Sequence, residues 1–99
     1  RDRVGEGIQL SNRAALVRLL TNQVARAHNA GNLARALVLA RRMTMLAPDF
    51  TGVWWERAQL EQRLGDSAAA RRSLVAMRET SRDPLVQRRI DAALAAWSD

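Results

Sequence analysis

The sequence predicts an all-α fold, with antiparallel helical hairpins stacked as a short array of two repeats plus a closing helix. Three observations carry this expectation. Ala, Leu, Arg, Gln and Glu dominate, β-branched residues are sparse, and no sustained apolar/polar alternation occurs, which favours helices over strands. A glycine followed by a helix-capping residue occurs at Gly31-Asn32 and again at Gly65-Asp66, so the same corner returns after thirty-four residues. The segments between corners are joined by very short turns, which makes consecutive helices antiparallel neighbours.

The elements follow from their punctuation. Ser11 or Asn12 can cap a first helix over about 13 to 30, and Gly31 suits the left-handed position just past its end. Asn32 caps a second helix over about 33 to 47, which Ala47-Pro48 stops. Thr51 opens a third over about 52 to 64, closed by Gly65, and Asp66 caps a fourth over about 67 to 80. Asp83 followed by Pro84 places proline in the first turn of a fifth helix running to about Trp97.

Around the two corners, positions thirty-four residues apart agree in kind: Leu20 with Trp54, Val24 with Ala58, Ala36 with Ala70, Ala40 with Leu74, and Met43 with Met77. Small residues suit close helix crossings and large ones the gaps, and a hairpin of this kind covers its apolar face only by stacking on a neighbour. The second helix is apolar nearly all round, through Leu33, Leu37, Val38, Leu39, Met43, Met45 and Leu46, as a central helix packed on two sides would be. The last helix has a single stripe of Val86, Ile90, Ala93 and Trp97. Continuing the thirty-four-residue phase would put Arg88 in an aromatic slot, so the phase slips by about two residues and this helix is a lid rather than a third repeat.

A thirty-four-residue helix-turn-helix unit is the tetratricopeptide (TPR) pattern. Trp54, Ala58 and Ala70 in the second unit, and Ala36 and Pro48 in the first, fit it. Gln23 and Arg57 stand where leucine is usual, Glu61 where an aromatic is usual and Arg82 where proline is usual, so the units are degenerate. Arg57 and Glu61, four residues apart, are expected to pair at the edge of the packing face. The stretch from Leu10 to Trp97, through LSNRAALVRLLTNQ, AGNLARALVLARRMTMLAPD and VWWERAQLEQRLGD, resembles the C-terminal TPR region of bacterial transglutaminase-like proteins, the Sir-type invasion-regulator homologues. The resemblance implies a preceding domain of transglutaminase or cysteine-protease type, with the catalytic machinery there.

At 99 residues the chain is one domain with a thin core, burying about 65% of the surface its unfolded form exposes. Residues 1–11, RDRVGEGIQLS, are expected to be a linker or the tail of a preceding domain, leaving 12–99 as the TPR-like domain of a longer protein. Neither a membrane-spanning apolar run nor a secretion signal is visible, and the expected location is cytoplasmic. With no cysteine, disulfides, thiolate metal sites and cysteine nucleophiles are excluded. The net charge of +6 comes from sixteen arginines and no lysine, a usage that GC-rich coding would itself produce. All the excess lies between residues 12 and 48, which hold Arg13, Arg18, Arg26, Arg35, Arg41 and Arg42 and no acid.

No catalytic, cofactor or metal set is expected. His28 is the only histidine, and no acid lies in its helix to orient it, so it reads as a plain surface residue rather than a base or ligand. The five serines lack a glycine-flanked elbow, and Gly5-Glu6-Gly7 is too short to cradle a phosphate. The expected role is a non-catalytic protein-interaction or accessory domain.

The first helices of the hairpins carry matching polar stripes: Arg18, Asn22, Ala25 and Asn29, then Glu56, Gln59 and Arg63. In TPR arrays this side is concave and faces the ligand. The candidate protein-binding residues are therefore Arg18, Asn22, Asn29, Trp55, Gln59 and Arg63, beside the plainer reading of a solvated face. Trp54 and Trp55 lie about 100° apart on their helix, so Trp54 belongs inside and Trp55 near the rim, where packing on the preceding hairpin is preferred over ligand contact. Thr21, Ala25 and Glu56 occupy the slots of the carboxylate clamp of chaperone-binding TPR proteins, so a C-terminal carboxylate ligand is not expected. The expected partner is a protein or peptide segment, acidic or belonging to the chain's own upstream domain. Two repeats and a lid fall below the three that usually stand alone, so docking on that domain or self-association is expected. The alternative is a basic module binding nucleic acid or serving a transcriptional regulator. It is disfavoured because the arginines of residues 12–48 are spread round two helices with no aromatic among them.

Overall fold

The computed structural model describes residues 2–97, with side chains from residue 12 onward. Among the described residues there are five helices and no strand: α1 (Asp2–Asn29), α2 (Leu33–Leu46), α3 (Thr51–Arg63), α4 (Ser67–Thr80) and α5 (Pro84–Trp97). Each helix packs on the next, giving an all-α array of antiparallel hairpins.

The two corners are the same object. Gly31 and Gly65 take φ of 79° and 88°, a region open to glycine because it has no Cβ. Asn32 N–H donates to Ala27 O at 2.8 Å, and Asp66 N–H to Glu61 O at 2.9 Å, closing both first helices with the six-to-one bond of a glycine C-cap. Asn32 Oδ1 then accepts from Arg35 N–H at 3.1 Å, and Asp66 Oδ1 from Ala69 N–H at 3.0 Å, which starts the second helices. Asp83 caps α5 likewise, its Oδ1 taking Leu85 N–H at 3.0 Å.

Two caps differ from the sequence reading. α1 runs through Ser11 and Asn12, so neither caps it. α3 is capped from Phe50 with no side-chain bond, and Thr51, already in the helix, sits 3.2 Å from Thr80 Oγ1 at the end of α4.

The core falls into two clusters. Leu20 and Val24 of α1 meet Leu37, Ala40 and Met43 of α2 and Val53 and Leu60 of α3 in the first. Ala58, Leu74, Met77, Ile90 and Ala93 make the second. Trp54 belongs to both, half-buried between them, and its Nε1–H donates to Pro48 O at 2.8 Å, fastening the α2–α3 turn. Val24 and Ala58, Ala36 and Ala70, Ala40 and Leu74, and Met43 and Met77 are all buried, so the thirty-four-residue recurrence is one of environment as well as residue type. The stripe Trp54, Ala58, Glu61 of α3 returns in α5 as Val86, Ile90, Ala93, thirty-two residues on. The slip of two is thus present, with Ile90 fully buried.

α2 is not packed all round. Val38, Met45 and Leu46 are exposed, Met45 by 80%, because α1 and α3 cover only one side of it. The Arg57–Glu61 pair is also not at an edge. Glu61 is fully buried where α2, α3 and α4 meet, accepting from Arg57 Nε at 3.1 Å, Arg41 Nη2 at 3.4 Å and Ser73 Oγ at 2.5 Å. Arg57 Nη1 continues to Thr44 Oγ1 at 2.9 Å. A carboxylate out of water needs partners of this number, and here they arrive from three helices.

Candidate functional site

Because α1 and α3 pack mainly through α2, a groove is left between their outward sides. Its larger compartment, about 470 Å³, has Val24, Met43 and Val53 as floor and Val17, Thr21 and Phe50 as walls. This lies within the size of ordinary ligand clefts, about 300–1,000 Å³. A second compartment, about 250 Å³, is polar and is lined by His28, Asn29, Gln59 and Arg63 over Leu60. Ala25 and Glu56 border both, so the two are continuous.

At the polar end Arg63 Nη1 lies 2.6 Å from His28 Nε2. Arginine has no acceptor, so it donates and His28 Nε2 accepts. This bond ties the end of α1 to the end of α3. The remaining guanidinium donors, with the amides of Asn29 and Gln59, make this end rich in donors, and Glu56 is the acid between it and the apolar compartment. At the other end Arg13 pairs with Asp49, donates from Nε to Leu46 O at 3.2 Å and lies 5.4 Å over the Phe50 ring, holding α1 against the α2–α3 turn.

Of the six candidate residues, the structure brings Asn29, Gln59 and Arg63 together in the groove. Arg18 and Asn22 are exposed on α1 and line neither compartment. Trp55 lies elsewhere: its ring centroid is 5.7 Å from that of Trp97 on α5, and the Arg89 guanidinium sits 5.0 Å over it. It packs on the closing helix α5, neither on the preceding hairpin nor at the groove, because α5 lands on the side of α3 to which it points.

Sequence reasoning missed His28 and the apolar compartment. The partner of His28 is outside its own helix: Arg63 stands thirty-five residues on, at the matching end of the next first helix. The repeat period itself held that signal. Among the described residues, no group of three His, Asp or Glu side chains is placed to hold a metal ion, and no helix is long and apolar enough to cross a membrane. No protein-family model, curated protein or solved structure matches the chain.

Proposed function

We propose that this chain is a TPR-type protein-interaction module that holds a peptide or helical segment in the groove between α1 and α3. One observation carries the reading: an apolar compartment and a donor-rich end lie side by side, both walled by the first helices of the two hairpins. Such a groove accepts one or two apolar side chains and fixes the segment's direction through Arg63, Asn29, Gln59 and Glu56. The thirty-four-residue repetition of corners and buried positions supports the TPR assignment. On the same reading the chain is the non-catalytic, cytoplasmic accessory part of a larger bacterial transglutaminase-like protein. A Cys, His and Asp set encoded ahead of it would support that placement, and a DNA-binding domain there would oppose it.

The test is selection of binders from a random peptide display library, followed by titration against Thr21→Glu and Arg63→Ala. Both positions are exposed and line the groove, so the variants should fold. Each should weaken selected peptides about tenfold or more. Peptides that bind both variants as well as the parent would refute the groove.

A second reading has its own observation. Arg35, Arg42, Arg71 and Arg72 are exposed on the second helices and make no ion pair among the described residues. They would supply phosphate contacts to a nucleic acid, and a gel-shift titration over salt decides it, since absence of binding at low salt eliminates the reading.

A further inference from the structure

We propose that the outer edge of the array, where α1 meets the start of α2, is a docking seat for an acidic amphipathic helix of a partner protein. The argument rests on internal repetition. At the inner junction α3 seats α2 through Val53, Arg57, Leu60 and Glu61: Val53 and Leu60 share its apolar cluster, Arg57 holds Thr44 and Glu61 holds Arg41. Thirty-four residues earlier the same four places on α1 are Leu19, Gln23, Arg26 and Ala27. Ala27 packs on the first core cluster and Gln23 is half-buried, but Arg26 is exposed where Leu60 is buried, and Leu19 is 50% exposed where Val53 is 7% exposed. Leu16, which matches Phe50, is 44% exposed beside it. A shallow depression of about 340 Å³ lies there, lined by Gln23, Arg26, Ala27 and Arg35 among others. It is the counterpart of the seat that α2 fills one repeat later.

The chemistry of this outer seat is reversed in sign. Inside, the carboxylate of Glu61 receives an arginine from the docked helix. Outside, Ala27 replaces Glu61, Arg26 replaces Leu60 and Arg35 replaces Ala69. Neither Arg26 nor Arg35 makes an ion pair among the described residues, and no acid lines the depression. The helix that fits presents an apolar stripe to Leu16 and Leu19 and carboxylates to the two guanidinium groups. A second copy of the chain fits poorly, since the exposed face of α2 would bring Arg42 against Arg26 and Arg35, and on α5 the acid Asp91 is already paired with Arg78 while Arg88 repels them.

The experiment uses a labelled, end-capped peptide copying residues 33–46 with Arg35→Glu, Arg41→Glu and Arg42→Glu, titrated by fluorescence anisotropy against the whole chain. It should bind, and bind less as salt is raised. Against the Arg26→Glu, Arg35→Glu double variant it should lose about tenfold or more, while the unaltered residue 33–46 peptide gains on that variant. Both arginines are exposed, and an unchanged thermal melt of the double variant separates lost docking from lost folding. The inference is overturned if the acidic peptide does not bind, or if parent and double variant bind it equally. It is overturned too if Arg63→Ala abolishes binding, which would place the peptide in the groove, or if the edge proves to bind a second copy in sedimentation.

Discussion

Gly31 and Gly65 adopt the same left-handed backbone, thirty-four residues apart, each one residue before the cap of a second helix. A Cβ at either position would meet no heavy atom within 4 Å, so the conformation alone sets the cost of substitution. Gly31→Ala and Gly65→Ala should each destabilise by about 1 kcal/mol, and by the same amount within error, in urea unfolding. A clearly larger loss at one corner would show that the two are held by different surroundings.

Glu61 and its partners predict an ordered set of losses. Arg57→Ala removes the nearer guanidinium from a fully buried carboxylate and also the bond to Thr44, so it should cost about 2–4 kcal/mol. Arg41→Ala should cost less, about 1 kcal/mol, because Arg41 is longer-range and 45% exposed. Glu61→Gln keeps the volume and part of the hydrogen bonding and should fall between them. Thermal melts give the order, with each kcal/mol worth about 4–8 °C for a domain of this size; Arg41→Ala as the worst of the three would contradict it.

The contact between Trp55 and Trp97 fastens α5 to α3. In a double-mutant cycle with Trp55→Leu and Trp97→Leu, a coupling of about 0.5–1.5 kcal/mol is expected. The same substitution at Trp55 should leave peptide capture in the groove unchanged, because the ring lies against the closing helix. Strict additivity of the two changes would remove the interlock.

Met45 tests the exposed side of α2. At 80% exposure it contributes little to the core, and Met45→Lys should alter stability by no more than about 0.5 kcal/mol in chemical unfolding. Met43→Ala, two residues earlier and buried, should cost about 2–4 kcal/mol.

What could be read in the chain divides along a physical line. Helix ends marked by a local requirement, such as glycine at positive φ, Asn32 and Asp66 at the corners, or Asp83-Pro84, were legible because the signal and the structure occupy the same few residues. The start of α1 was not, since Ser11 and Asn12 are capping types that a helix can also pass through. The buried pairs thirty-four apart were legible because like environments select like side chains. Whether a charged residue lies inside was not: Glu61 resembles any surface glutamate until Arg41 and Ser73, from two other helices, are seen to reach it. The groove was legible for Asn29, Gln59 and Arg63, which sit on stripes that one helix defines. It was not for Trp55, whose neighbours are set by where α5 lands.

The thirty-two-residue step into α5 makes the molecule directional. The buried stripe is kept, so the shorter step lies where the helices join: three residues, 81–83, separate α4 from α5, where four, 47–50, separate α2 from α3. An engineered superhelix built on this scaffold would lengthen that connection to restore an even step between hairpins.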